Sequence, residues 1–273
     1  MSRTLVHLSD IHFGRVDPAT VEPLIAAVNS IRPDIVVVSG DLTMRARSEE
    51  FREARAFLDR LPQPQVVVPG NHDVPLYNPF HRFVGGFKKY RMHIADNLSP
   101  EWMDDEIAVF GVNTARALSL KNGRISIAQI EDLRRRLLRI SPGKIKVVVT
   151  HHPLDMPETY GSKHLVWRAR LAMEWLIACG ADLLLAGHHH LTHAISSERR
   201  YEIEGHPALV VQAGTATSTR GRGEVNSFNR IETTPDSIQV EAWGWDGRDF
   251  VVSRHDHFVR SGGQWAPRHK LEL

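Results

Sequence analysis

The sequence predicts an α/β fold of stacked layers: helices, two β-sheets, then helices again. Three observations carry this. Up to residue 190, runs of Val, Ile and Leu such as DIVVVSGD and KVVVTHHP alternate with helical patterns, as parallel strands covered on both faces do. Beyond residue 190 the helical patterns stop and strand-like runs with periods near two take over. No repeat or low-complexity linker divides the 273 residues, so a single domain over 1–273 is expected.

Each element has its own justification. TLVHLSD, from Thr4, is the first strand. A helix starts at Asp17, a good N-cap, with Pro18 in its first turn and Val21, Leu24, Ile25, Val28 and Ile31 at helical spacing. DIVVVSGD follows, then a helix from Ser48 that turns Phe51, Ala54, Leu58 and Leu61 inward. After QVVVPGNHD, residues 75–104 read as an irregular, aromatic-rich insertion of the kind that covers a site. IAVFGVN (107–113) is a strand, and Ser126 with Gln129 forms a capping box before a helix burying Ile127, Ile130, Leu133 and Leu137. Arg134, Arg135 and Arg136 on that helix read as a solvated face. KVVVTHHP, a helix near 167–179 and DLLLAGHHH complete the alternating half. HPALVVQAG, SFNRIETT, SIQVEAWGW and RDFVVSRHDHF are the later strands, with Trp243 and Trp245 in core or interface positions.

Composition narrows the function classes. Hydrophobic residues are 42% and charged residues 24%, ordinary values for a globular protein. A formal charge of +2 gives no strong nucleic-acid signal. The single cysteine, Cys179, sits in an apolar helical run, which excludes a disulfide framework or thiolate metal site within the chain. Strand-like residues from Thr4 leave no room for a signal peptide, and the apolar runs fall well short of the ~20 residues of a membrane span. A cytoplasmic protein with reduced thiols is expected, and a homo-oligomer stays open.

The chemistry lies at the strand ends. TLVHLS leads to Asp10 and His12, VVVSG to Asp41, VVVPG to Asn71, His72 and Asp73, VVVT to His151, and LLLAG to His188 and His190. Ligands of open α/β sheets gather beyond the carboxyl ends of the strands, so these residues are expected along one edge of one sheet. His188 and His190, two apart in an extended segment, point the same way and His189 oppositely. Oxygen and imidazole donors without thiolate suit Mn, Fe, Zn, Co or Ni. Seven donors exceed one tetrahedral ion and suit two metal ions sharing a carboxylate, roughly 3.5–4 Å apart.

D-x-H (Asp10, His12), G-D (Gly40, Asp41), G-N-H-D (Gly70 to Asp73), H-x-P (His151, Pro153) and G-H-x-H (Gly187 to His190), in this order across residues 4–190, resemble the calcineurin-like metallophosphoesterases. The resemblance implies a four-layer α/β/β/α sandwich of two mixed β-sheets flanked by helices. It assigns Asp10, His12, Asp41 and His190 to one ion and Asp41, Asn71, His151 and His188 to the other, with Asp41 bridging. Both ions are divalent or trivalent, with Mn, Fe and Zn left open. GDLT with EEF downstream looks closest to the bacterial phosphodiesterases of cyclic nucleotides or glycerophosphodiesters, making a small phosphodiester the expected substrate. Met44 stands where many members carry an acid, which counts against the protein-phosphatase and nuclease groups; His72 counts against the lipid A-precursor pyrophosphatases, which have Arg there.

The expected reaction is in-line attack on phosphorus by a hydroxide held between the ions. His72 is the expected proton donor to the leaving group, oriented by Asp73. His152 and His193 flank candidate ligands as pocket-lining or supporting residues. Arg15, Arg45 and the Arg220–Gly221–Arg222 loop are candidate phosphate contacts or solvated charges, and substrate choice is expected in 75–104 and 155–166. The rival readings are a nuclease or a nucleotide-sugar or lipid pyrophosphatase on this fold, and a metal-poor interaction scaffold.

Overall fold

The computed structural model describes residues 1–75, 85–116, 122–157, 159, 161, 164–197, 201, 207–220 and 223–268. Its parallel strands divide between two sheets. β1 (Arg3–Leu8), β2 (Ile35–Val38) and β3 (Gln65–Val67) pair in parallel. β10 (Ser227–Thr234), β11 (Ser237–Trp245), β12 (Phe250–Ser261) and β13 (Gln264–Pro267) extend that sheet antiparallel, β10 alongside β1. The seven-stranded order is β13-β12-β11-β10-β1-β2-β3. The second sheet takes β4 (Glu101–Met103), β5 (Ile107–Val112), β6 (Ile145–Thr150), β7 (Leu183–Ala186), β8 (His193–Ser196) and β9 (Leu209–Gln212), in the order β4-β5-β6-β7-β9-β8. Both sheets are mixed, as the α/β/β/α reading requires. Delivery of every candidate ligand to one edge of one sheet is overturned: three strands of one sheet and two of the other supply them.

Continuous Val/Ile runs arise because both faces of these strands are covered. In β2, Val36 and Val38 pack in the cluster with Leu24, Val28, Phe51 and Leu58 on the helices α1 (Pro18–Ile31) and α2 (Ser48–Leu58). Ile35 and Val37 face the opposite way, into a seam shared with Val109, Val147, Val149 and Leu185 of the second sheet. The outer face of that sheet, including Phe110, Val148 and Leu184, meets Ile130 and Leu133 of α4 (Ile127–Leu137) and Met173 and Leu176 of α5 (Ala169–Ala178). All four side chains of β2 are fully buried. Each such residue stabilises the fold by roughly 1.5–3 kcal/mol relative to its exposed state.

Helix starts follow their caps. Asp17 accepts from Ala19 N at 3.0 Å, and Ser126 and Gln129 cap one another reciprocally. Residues 75–104 are not wholly irregular: a short helix, α3 (Lys88–His93), and β4 lie within them, with Tyr90 fully buried and bonded to Val67 O. Residues 76–84 lie outside the described residues, as do Glu158, Tyr160, Ser162 and Lys163 of the 155–166 stretch. The edge strands β4, β8 and β13 were absent from the sequence reading. On α4, Arg134 and Arg135 are exposed, as a solvated face requires, while Arg136 is half-buried; Arg136 pairs with Glu101 and Asp132, Arg135 with Asp132, and Arg134 lies over the Trp175 ring. Half-buried Trp243 stacks on Phe228 at the border of the core.

Candidate metal centre

The loops beyond the strand ends adopt backbone that side chains rarely tolerate. Asp10, His12, Asp41, His188 and His190 have φ of 51°, 56°, 55°, 75° and 58°. These are five of the eight non-glycine residues with positive φ among the described residues. Left-handed backbone costs about 1–2 kcal/mol per side-chain-bearing residue, and such residues gather at functional sites. Residues 188–190 are therefore a turn, and the extended geometry expected for the histidine run does not hold. Main-chain bonds clamp the loops together, Asp10 N to Gly40 O and His12 N to Asp41 O, both at 3.0 Å. Close approach needs glycine at two places. A Cβ on Gly187 would lie 1.8 Å from Ser9 Oγ, and one on Gly70 2.1 Å from Asp41 Oδ1.

Two groups of donor atoms result. In the first, His190 Nε2 is 3.2 Å and His12 Nε2 3.5 Å from Asp10 Oδ1, with the two nitrogens 3.4 Å apart. Asp10 Oδ2 accepts from Ser9 Oγ and His188 N, while buried Oδ1 has no hydrogen-bond partner. In the second, His151 Nε2 lies 3.1 Å from Asn71 Oδ1, 3.3 Å from Asp41 Oδ2 and 3.3 Å from His188 Nδ1. Asp41 Oδ2 also stands 3.8 Å from His12 Nε2, so one carboxylate oxygen lies between the groups. His188 and His190 thus fall in different groups. His189 turns its Nε2 to His164 O at 3.0 Å, outside both.

The outer nitrogens say which atoms face inward. His190 Nδ1 donates to Arg220 O at 3.1 Å and His151 Nδ1 to Ser39 O at 2.7 Å, since a carbonyl only accepts. Their Nε2 atoms therefore carry the lone pairs toward carboxylate and amide oxygens, an arrangement that needs a positive charge among them. In the metal-free state a proton supplies it. Burial opposes the charging of His151, but Asp41 and then Asp10 raise it to about 9. Burial would raise both carboxyls, yet His190 and His12 hold Asp10, and His151 and His72 hold Asp41, well below the ordinary carboxylate range. Burial lowers His12, and burial with His152 and His151 lowers His188 far below its ordinary value. A metal ion meets the same need and displaces the proton. The donor set fits hard or borderline cations, and the orphaned Asp10 Oδ1 fits a ligand.

His72 stands beside both groups and in neither. Its Nδ1 donates to Met44 O at 2.8 Å, its Nε2 lies 3.1 Å from Arg220 Nη1, and its backbone N donates to Asp41 Oδ1. The expectation that Asp73 orients it is overturned. Residues Asn71–Asp73 form a single 3₁₀ turn, in which successive side chains diverge by about 120°. Asp73 instead accepts from Leu42 N, Thr43 N, Gly70 N and Thr43 Oγ1 at 2.9–3.2 Å, holding the G-D and G-N-H-D loops together. Burial and Asp41 push this carboxyl up to about 6 against those N–H donors.

His152 stands closer to the centre than the sequence indicated. His151, His152 and His188 each offer a nitrogen within 4.8 Å of the others, and Thr114 Oγ1 meets His152 Nδ1 at 2.9 Å. His193 lies on β8, and burial holds it down at about 4. Arg45 donates its backbone N to buried Glu50, and the Arg15 carbonyl accepts from Thr219 N. Gly221 and Arg222 lie outside the described residues.

Among the described residues no helix is long and apolar enough to cross a membrane. The family model for Calcineurin-like phosphoesterase matches residues 3–191. The glycerophosphodiester phosphodiesterase GpdQ of Enterobacter lignolyticus is 40% identical over 80 residues, 25% of this chain and 29% of that protein, so the match spans under a third of that relative. A cAMP/cGMP dual specificity phosphodiesterase of Mycobacterium tuberculosis is 25% identical over 268 residues, 86% of this chain and 77% of that one. A probable GpdQ of Arcobacter nitrofigilis is 25% identical over 219 residues, 78% and 74% respectively. Among solved structures, PhoD superposes with a TM-score of 0.76 at 10% identity, covering 100% of this chain and 72% of its own. The purple acid phosphatase PPD1 of yellow lupin seeds gives 0.71 at 12%, covering 92% and 53%. At such identities the likeness is one of fold.

Proposed function

Because this chain belongs to the calcineurin-like phosphoesterase family, we propose that it hydrolyses small phosphodiesters of the cyclic-nucleotide or glycerophosphodiester kind with two bound metal ions. The observation that carries the reading is the pair of inward-facing donor groups joined through Asp41 Oδ2. Asp10, His12, Asp41 and His190 would hold one ion, and Asp41, Asn71, His151 and His188 the other. Bound there, two cations would lower the pKa of water toward ~7 and offset charge on the non-bridging phosphate oxygens. Asn71 gives a neutral oxygen, which limits the negative charge offered to the ions. Ser39 and Arg220 carbonyls fix the ring orientation of His151 and His190.

His72 takes the part of proton donor. Met44 O fixes its Nδ1, leaving Nε2 as the atom that exchanges a proton with a leaving oxygen. The names of the two relatives matched along most of this chain favour diesters over monoesters.

The test is to load the protein with Mn, count bound ions, and compare bis(p-nitrophenyl) phosphate, cyclic AMP and glycerophosphodiesters with p-nitrophenyl phosphate and a nucleotide-sugar pyrophosphate. Two ions per chain and a higher kcat/KM for a diester are expected. Fewer than one ion per chain after reconstitution, or a monoester preferred to every diester, would sink the reading.

A further inference from the structure

Beside the candidate centre stands a cation that the scheme above leaves without a task. Half-buried Arg220, in the segment between β9 and β10, has its Nη1 3.1 Å from His72 Nε2 and 3.8 Å from Met44 Sδ. Among the described residues no carboxylate faces this guanidinium. Its main chain is separately fixed. The carbonyl accepts from His190 Nδ1 at 3.1 Å, and the N–H donates to Ser218 Oγ at 3.1 Å. Upstream in the same segment, Thr215 Oγ1 and Thr217 Oγ1 donate to Asp10 O and Ile11 O at 2.7 and 2.8 Å. Residue 220 is thus anchored to the loop that bears the candidate ligands, while its guanidinium meets, among the described residues, His72 Nε2 and Met44 Sδ.

The partners dictate the direction of each hydrogen bond. Met44 O only accepts, so His72 Nδ1 carries a proton in that contact. Arginine only donates, so His72 Nε2 offers its lone pair to Arg220. The one imidazole nitrogen that faces the site is therefore covered by Arg220. A phosphate oxygen is a stronger acceptor for a guanidinium than a neutral imidazole, and the fork can engage two such oxygens at once.

We propose that Arg220 is a phosphate-binding residue of this site, and that its guanidinium exchanges His72 Nε2 for a non-bridging oxygen when substrate arrives. That exchange uncovers the Nε2 lone pair, which takes up a proton from solvent before His72 gives one to a leaving oxygen. In the exchange itself no covalent bond changes; one hydrogen bond is traded for another. The assignment deepens the phosphoester reading and rests on it for the identity of the anion.

Inorganic phosphate, titrated calorimetrically into Mn-loaded wild type, Arg220→Met and Arg220→Lys, separates the outcomes. Losing a charge-assisted hydrogen bond should weaken phosphate binding by about 10–100-fold in the Met variant, with Lys intermediate. Metal content should match wild type in both, because the residue-220 carbonyl that orients His190 is retained. KM for a diester should rise in parallel, and added guanidinium ion should recover part of the Met loss. Phosphate affinity within twofold of wild type in Arg220→Met, with both ions present, overturns the assignment. Arg220-dependent phosphate binding without turnover of any ester would leave it standing and remove the hydrolase reading. Wild-type turnover with unchanged KM in both variants would do the reverse.

Discussion

Five side chains at this centre hold their main chain where glycine is usually found. The cost has a direct test at His190, φ 58°. His190→Gly and His190→Ala both delete the imidazole and differ only in backbone freedom. In the metal-free protein the glycine variant should be the more stable by about 1 kcal/mol, reversing the usual Ala-over-Gly order. Equal denaturation midpoints would mean the turn stores no strain. Function is expected to separate two neighbouring positions. Asp41→Ala should lose metal from both places, because Oδ2 lies between the two groups. His72→Ala should keep both ions and lose ~10²–10⁴ in kcat toward an unactivated diester. Metal analysis alongside turnover decides each case. The convergence of Asp10, His12, Asp41, Asn71, His151, His188 and His190 was legible because each lies within four residues of the end of an apolar strand. The partner of His72 was not. Met44 acts through its carbonyl, which no side-chain letter reports, and Arg220 lies 148 positions away.

Caps or apolar stripes announced α1, α2 and α4, whose starts match the expected ones closely. Ser126 shows why: its Oγ accepts from Gln129 N while Gln129 Oε1 accepts from Ser126 N. Ser126→Ala should cost about 1 kcal/mol of stability with little change in metal content, read from denaturant midpoints. What stayed hidden were β4, β8, β13 and α3, elements of three, four, four and six residues, too short for a period to register. Hidden too was the sharing of strands between sheets. A strand covered on both faces looks the same in either sheet, so VVVSG and VVVT carry no mark of their neighbours. Pairing is decided by crossovers, and the β3-to-β4 passage moves the chain from one sheet to the other.

Across the whole molecule, the two sheets share an apolar seam, and in β1 buried His7 meets Ser39 Oγ at 2.9 Å. Burial, opposed by Asp10, lowers His7 to about 3; burial, with Arg254 and His189, lowers His193 to about 4. Both imidazoles stay neutral in the fold, whereas the unfolded chain takes up protons near 6.5. Their stability is therefore complete above 6.5 and is lost as pH falls through 6.5 toward about 4 and then about 3. The urea midpoint of metal-free protein should fall between pH 7 and pH 5, less steeply in His7→Asn. Identical pH slopes would acquit His7. One pairing has a further consequence in time. β1 lies between β2 and β10, and Thr233 of β10 reaches back 230 positions to Arg3. A ribosome delivers the amino end first, so Asp10 leaves the exit tunnel long before its imidazole companions at 188–190 or the strand that screens its flank. An ion held by this set would consequently be captured late in the maturation of a nascent chain, with the earliest-made carboxylate kept waiting longest.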